Sequence, residues 1–288
     1  MIGSALVDAL SNDGHEIIRL VRSPSPSAFT EVVWDPTSEE MVPDRKLEEL
    51  DAVFHLAAEP VMGRWTPDKR VRIRNSRVHG TALLCRALAK LEHKPACLLS
   101  ASAIGYYGDT AHREVDETAP PGEGFLAEVC RDWEAAAIEA LDAGIRVVNA
   151  RFGVVLSPRG GALKAMWLPF RLGLGGKLGT GKQYMSWISI RDTTRALLHV
   201  LDNKDVAGPV NMVAPDAVTN AELTRVLGKA VSRPTVFPVP AFVLRALFGE
   251  MAEDTFLSSA RVVPGVLNES GFEFQDADLS AALVDMLG

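Results

Sequence analysis

The stretch Asp51-Ala-Val-Phe-His-Leu-Ala-Ala58 decides the fold. Its side chains are apolar on both alternating faces, which suits a strand buried on two sides rather than a one-sided antiparallel strand. Upstream, Ile17-Ile-Arg-Leu-Val21 and Val32-Val-Trp34 read as further short strands. Downstream, Ala96-Cys-Leu-Leu-Ser100 and the run 145–150 read the same way. Helical patterns separate them: the opening residues, with Ile2, Leu6, Val7 and Leu10 on one face and a stop at Ser11-Asn-Asp-Gly14, a long helix over 67–91, and another near 124–141. Strands alternating with crossover helices predict an α/β protein with a doubly wound parallel sheet covered on both faces.

Breaks flank these elements. Ser23-Pro-Ser-Pro26 is a loop, residues 153–182 are rich in glycine and predict an irregular segment, and strand-like periodicity returns at 210–213. Pro-rich breaks at 234–240 and at Pro264-Gly265 punctuate a mixed helical tail. The expected division is a sheet domain over 1–152, with 183–213 returning to it, and a smaller lobe from 153–182 and 214–288.

The 288 residues are long enough for a full core. A hydrophobic share of 47% and a charged share of 23% are those of an ordinary globular protein. The net charge of −7 argues against nucleic acid as a partner, and no apolar run approaches a bilayer span. The start Met1–Leu10 lacks the basic residues of a secretory signal. Cys85, Cys97 and Cys130 have no metal-ligand spacing and suit reduced thiols in the cytoplasm. A small-molecule substrate, no membrane, no metal and a monomeric or homodimeric state are expected.

A dinucleotide fold opens with a strand, a glycine-rich turn and a helix whose N-terminus faces the pyrophosphate. This chain opens inside that helix, with Ile2 and Gly3 at the end of the fingerprint. The following strand ends in Arg22, where an acid would bind a ribose 2′-hydroxyl and an arginine suits a 2′-phosphate. Arg22 therefore reads as a determinant of NADP(H) or as a solvated surface charge. Leu56-Ala57-Ala58 offers small residues where a strand end lets a dinucleotide approach.

Four blocks then carry a family resemblance: Leu99-Ser-Ala-Ser-Ala-Ile-Gly-Tyr-Tyr-Gly-Asp109, Phe125-Leu-Ala-Glu-Val-Cys-Arg-Asp-Trp-Glu134, Arg151-Phe-Gly-Val-Val-Leu156, and the glycine-rich run from Leu168 to Asp192. Together they resemble the atypical extended short-chain dehydrogenases/reductases called epimerase family proteins, which are nucleoside-diphosphate-sugar epimerase-like and end in a domain of unknown function. The resemblance implies a strand and a Gly-x-x-Gly-x-x-Gly loop upstream of Ser4, so an N-terminally shortened chain with a gap at the sheet centre and unpaired backbone groups is expected. It implies NADP(H) binding by Ile2, Gly3, Arg22, Trp34, Asp35, Leu56, Ala57, Ala58, Arg77, Ser100, Ala101, Arg151, Phe152 and Gly153. Ser102 takes the position of the catalytic hydroxyl. The Tyr-x-x-x-Lys pair of the superfamily is missing from the helix Phe125–Glu134, so Tyr106 or Tyr107 stands in as proton donor, with Arg131 or Lys182 as the cation, or else these tyrosines are pocket walls. Glu59, Gln183 and Trp187 are expected on the substrate side, and Asp192 there or as a helix cap. The implied activities are an NADP-dependent oxidoreductase or epimerase acting on a small polar carbonyl or nucleotide-sugar-like substrate, or a cofactor-binding sensor without turnover.

Overall fold

In the computed structural model, all residues except Ser25, Val42 and Gly288 are described, so Ser25 of the expected 23–26 loop lies outside the account. The first half runs α1 (Ile2–Asn12), β1 (Ile18–Val21), β2 (Thr30–Val33), β3 (Ala52–His55), α2 (Pro67–Ala89), β4 (Cys97–Ala103), β5 (Glu114–Val115), α3 (Phe125–Ala135), α4 (Ile138–Asp142) and β6 (Arg146–Phe152). There follow β7 (Val154–Leu156), α5 (Gly161–Arg171), β8 (Tyr184–Met185), β9 (Trp187–Ser189), α6 (Ile190–Asp202), β10 (Gly208–Met212), β11 (Val218–Thr219), α7 (Asn220–Ala230), α8 (Ala241–Phe248), β12 (Arg261–Val262), α9 (Gly265–Glu269) and α10 (Leu279–Leu287).

The central sheet is parallel, in the order β10-β6-β4-β3, and β1 pairs with β2 in a separate parallel ribbon. Among the described residues no ladder joins β1 to β3, which is the interruption expected at the sheet centre. One face carries Leu99, Val148, Ala150 and Val210 against Leu6 of α1 and Ala196, Leu197 and Val200 of α6. The other carries Val53, Leu98 and Val147 against Leu83, Leu84 and Leu88 of α2 and Ala140 of α4. Helices on both faces of parallel strands match the sequence pattern. Two expectations shift. The helix expected over 124–141 divides at Ala136-Ala137 into α3 and α4. The segment 153–182 is not wholly irregular, because Leu163 and Phe170 give α5 a buried stripe despite Pro169 inside it.

Strand β6 is fastened at its amino end. The Arg146 guanidinium donates to the carbonyls of Val200 (3.1 Å), Leu201 (2.8 Å) and Val206 (2.7 Å), where the last carbonyls of α6 lack intrahelical partners. The second lobe is assembled from short pairs, β7 with β9, β8 with β11 and β5 with β12, and so draws in 184–189 and 114–115, which the expected division gave to the sheet domain. Two arginines tie it to the sheet domain: Arg64 donates to the Ala246 carbonyl (3.1 Å) and Arg70 pairs with Glu250 (2.6 Å). The cap of α6 is Ser189, whose hydroxyl accepts from the Asp192 amide. Asp192 itself is fully buried and its carboxylate accepts from the amides of Gln275 and Asp276 and from Arg195.

His55 ends β3 beneath α2, 4% exposed, with Nε2 3.0 Å from the Thr81 hydroxyl. Trp133 donates to the same hydroxyl, and the Trp34 ring meets His55 edge-on. Burial pulls the His55 pKa down from 6.5 to about 4.

Two outcomes are expected. Asp192→Ala strands the buried Asp276 amide and removes the partner of Arg195, and lowers stability by about 2–3 kcal/mol, read as a fall in the urea midpoint. A depressed histidine pKa leaves stability intact above pH 6.5 and removes it as pH falls toward 4, by up to about 3 kcal/mol. Urea unfolding of the unaltered protein and of His55→Leu between pH 7 and 4.5 checks this, the variant losing less stability on acidification.

Candidate functional site

The carboxyl ends of parallel strands form the crevice where ligands bind in open α/β sheets, at the point where strand order reverses. Here the segments that follow β1 and β3 are the ones the sequence assigns to that crevice. Arg22, just past β1, is exposed and makes no hydrogen bond or ion pair with another described residue. Past β3, Ala57 and Ala58 are exposed and Leu56 half-buried, with Leu56 Cδ1 3.9 Å from where a side chain on Gly3 would begin. This loop is pinned to α2. The Glu59 amide donates to Ser76 (3.0 Å), and Arg77 donates to the carbonyls of Glu59 (3.0 Å) and Ile73 (3.1 Å) with its guanidinium over the Trp133 ring. Arg77 thus shapes the loop that Ala57 and Ala58 present. The Glu59 carboxylate is taken by Lys69 (2.7 Å) and faces Arg72 (3.7 Å), and the Lys69 hydrogen bond holds its pKa below the usual range. Arg22 and the small-residue loop are thus both open to solvent at strand ends, without a described side-chain partner on Arg22.

Several expected contacts lie elsewhere. Trp34 is 6% exposed and packs in the core against His55, so its ring is no adenine platform, whereas Asp35 is exposed and accepts from the Thr37 amide and hydroxyl. Ser100 is buried one pleat beneath Ser102, and Ala101 points to the opposite face of the sheet. The Ser100 hydroxyl and its register partner's carbonyl, Asn149 Oδ1, are both without a hydrogen-bond partner. Packing already requires Gly153, since a Cβ there would lie 2.7 Å from the Ser186 carbonyl oxygen. Trp187 is 1% exposed in the second lobe's core, with its indole donating to the Asp216 carbonyl, so it does not line a cleft. The Gln183 amide nitrogen is spent on the carbonyls of Leu178 and Phe256.

At the ends of β4 and β6 the structure brings Ser102, Glu134, Arg151, Tyr106 and Tyr107 together. Register places Ser102 beside Arg151 on the face that α3 covers. Ser102 Oγ donates to Glu134 Oε1 at 2.6 Å, and Arg151 grips both Glu134 oxygens at 2.8 Å through Nε and Nη2. Arg151 Nη1 donates to the Tyr107 hydroxyl (2.8 Å), which donates to Asn211 Oδ1 (2.7 Å). The guanidinium also lies flat on Tyr106, 3.6 Å from the ring centre. Burial opposes the Arg151 charge, but the Glu134 hydrogen bonds and charge outweigh it and hold its pKa above the ordinary value. Burial likewise pushes Tyr107 up to about 12, with Arg151 and Asn211 offsetting only part.

Arg151, expected beside the cofactor, is therefore a 3% exposed internal cation, while Phe152 beside it is half-buried. Tyr107 is 4% exposed with its hydroxyl saturated, which removes it as proton donor; Tyr106 is half-buried. Arg131 pairs with Asp132 and Lys182 is exposed, so neither supplies the cation at this cluster. Glu134, Asn211 and Glu117, which accepts from the Asn211 amide (2.8 Å), were not singled out from sequence. A carboxylate for a buried arginine was the available signal. Gly122 closes the cluster, because a Cβ there would lie 2.2 Å from the Tyr107 carbonyl oxygen. Among the described residues no group of three metal-ligating side chains converges.

Comparison with known proteins places this geometry. The family model described as "NAD dependent epimerase/dehydratase family" matches residues 1–213, and the one described as "Domain of unknown function (DUF1731)" matches residues 239–286. The epimerase family protein Mb2239 of Mycobacterium bovis is 44% identical over 284 residues, 98% of this chain and 93% of that protein. The human epimerase family protein SDR39U1 in a crystal structure with NADPH aligns at TM-score 0.91 and 34% identity, over 100% of this chain and 96% of that one. A nucleoside-diphosphate sugar epimerase from Corynebacterium glutamicum aligns at TM-score 0.82 and 35% identity, over 100% of this chain and 56% of that one. The chain belongs to the NAD dependent epimerase/dehydratase family, in the group of epimerase family proteins that carry DUF1731, and has their short-chain dehydrogenase/reductase fold.

Proposed function

We propose that this chain is an NADP(H)-binding oxidoreductase or epimerase that acts on a small polar carbonyl or nucleotide-sugar-like molecule beside Ser102. The observation that carries the reading is the convergence of the Ser102 hydroxyl, the Tyr106 phenol and the Arg151 cation at the carboxyl ends of β4 and β6. Arg22 is the group that would hold the 2′-phosphate, with Gly3, Leu56, Ala57 and Ala58 forming the approach to the dinucleotide. The NADPH in the human relative supports that choice of cofactor. Bound NADP(H) supplies hydride exchange at a carbon atom. Ser102 holds the reacting oxygen and Tyr106 exchanges its proton, with Glu134 and Arg151 fixing both. No helix among the described residues is long and apolar enough to cross a membrane.

A second reading, a cofactor binder without turnover, is favoured by one observation. Of the five groups at the cluster, Tyr107 is saturated and Ser102, 2% exposed, already spends its proton on Glu134.

Fluorescence titration is expected to show NADPH binding more tightly than NADH, with Arg22→Ala weakening NADPH roughly 10- to 100-fold and leaving NADH unchanged. Equal affinities in the unaltered protein refute the cofactor assignment. In NADPH-oxidation assays over a panel of carbonyls and nucleotide sugars, Ser102→Ala and Tyr106→Phe are each expected to lower kcat by about 100-fold or more. NADPH binding with no turnover across the panel establishes the second reading.

A further inference from the structure

A serine hydroxyl has one proton to donate and two lone pairs with which to accept. At Ser102 the direction of the 2.6 Å contact with Glu134 Oε1 therefore determines what the hydroxyl can offer elsewhere. Glu134 Oε1 also accepts from Arg151 Nε, and Oε2 accepts from Arg151 Nη2, both at 2.8 Å. This two-point fork is the geometry of a guanidinium on an ionised carboxylate, which only accepts. The pair cannot readily turn over: Arg151 is 3% exposed, held by the Tyr107 hydroxyl at its third nitrogen and stacked on Tyr106. Ser102 is therefore the donor, its proton points inward, and only lone pairs remain for anything that reaches it.

Resting on the reading that Ser102 lies in the ligand site, we infer that this position is an acceptor site, selective for a ligand that presents a hydroxyl or amine donor, and that Glu134 is the positioning residue that makes it so. A carbonyl oxygen placed there would set lone pair against lone pair, and could be bound only by breaking the Ser102–Glu134 hydrogen bond. Of the two forms that a hydride exchange interconverts, the one held at Ser102 is thus the alcohol or amine rather than the carbonyl, so the proposed activity starts from a hydroxyl-bearing ligand such as a nucleotide sugar. Glu134 acts through the orientation of the Ser102 proton and does not itself touch the ligand.

Two measurements test this. Neutron diffraction from deuterated crystals of the unaltered protein is expected to place the Ser102 deuteron on the line to Glu134 Oε1; a deuteron turned away from Glu134 overturns the inference. Ligand-observed NMR with cyclohexanol and cyclohexanone, without cofactor so that nothing turns over, is expected to show the alcohol binding at least about five-fold more tightly. Ser102→Ala brings that ratio to one. In Glu134→Ala the acceptor of the serine proton is gone, the hydroxyl is free to donate outward, and the ratio falls below that of the unaltered protein. A ratio of one in the unaltered protein, no binding of either probe, or an unchanged ratio in Glu134→Ala overturns the inference. NADPH titration of the same samples keeps the two readings apart: lost NADPH binding with a retained ratio refutes the cofactor assignment alone, and NADPH binding with a ratio of one refutes the acceptor site alone.

Discussion

The Arg151 guanidinium is buried between a sheet and a helix, and a charge in that position costs several kcal/mol unless it is met at close range. Glu134 meets it on two nitrogens, Tyr107 on a third, and the face of Tyr106 covers it. Much of the surrounding structure follows from that demand. Helix α3 must carry its carboxylate to the end of β6, so it lies across the ends of β4 and β6. The turn after β4 must deliver two aromatic rings to one cation, and the 116–124 loop must come close enough for Gly122 to lie against the Tyr107 backbone. Removing one partner of such a pair is far more damaging than replacing both, so the members of the cluster are bound to one another in sequence as well as in space.

The same cluster shows how a fold keeps its shape while its chemistry is rearranged. The superfamily arrangement places a phenol and an ammonium on one helix. Here α3 carries a carboxylate instead, the cation comes from β6, and the phenol comes from the turn after β4. The polar groups still converge at the carboxyl ends of the strands, where α3 and the turn after β4 meet the ends of β4 and β6. Convergence is a property of the topology, and the identity of each group is a property of the particular residue.

Strand identity was readable from short runs with apolar residues on both faces, as at Ala52-Val-Phe54 and Leu98-Leu99, although Arg146, Asn149 and Arg151 interrupt β6. That Arg22, Ala57 and Ala58 follow strand ends was readable because the apolar runs before them mark where the strands stop. Helix α5 was hidden by the glycines and the proline around it, although Leu163 and Phe170 carry a helical spacing. Trp187 looked like a ligand platform because sequence records an aromatic ring but not the depth of its strand. Glu134 was the least legible: it closes a quoted block, yet its partner stands on another element, and pairing between elements leaves no periodic trace. His55 was similarly concealed within an apolar run, where a buried imidazole and a leucine occupy the same pattern.

Strand β6 carries an arginine at each end, and the two point to opposite faces of the sheet. Arg146 gathers the carbonyl end of α6 on one side, and Arg151 holds α3 on the other. A strand pinned in this way acts as a tie rod between two helical layers that share no direct contact through the sheet. Neither layer can peel away alone without exposing a charged fork to an apolar interior. The amides of β6 therefore belong to the last part of the molecule to exchange with solvent, and the two layers unfold in one step rather than in turn.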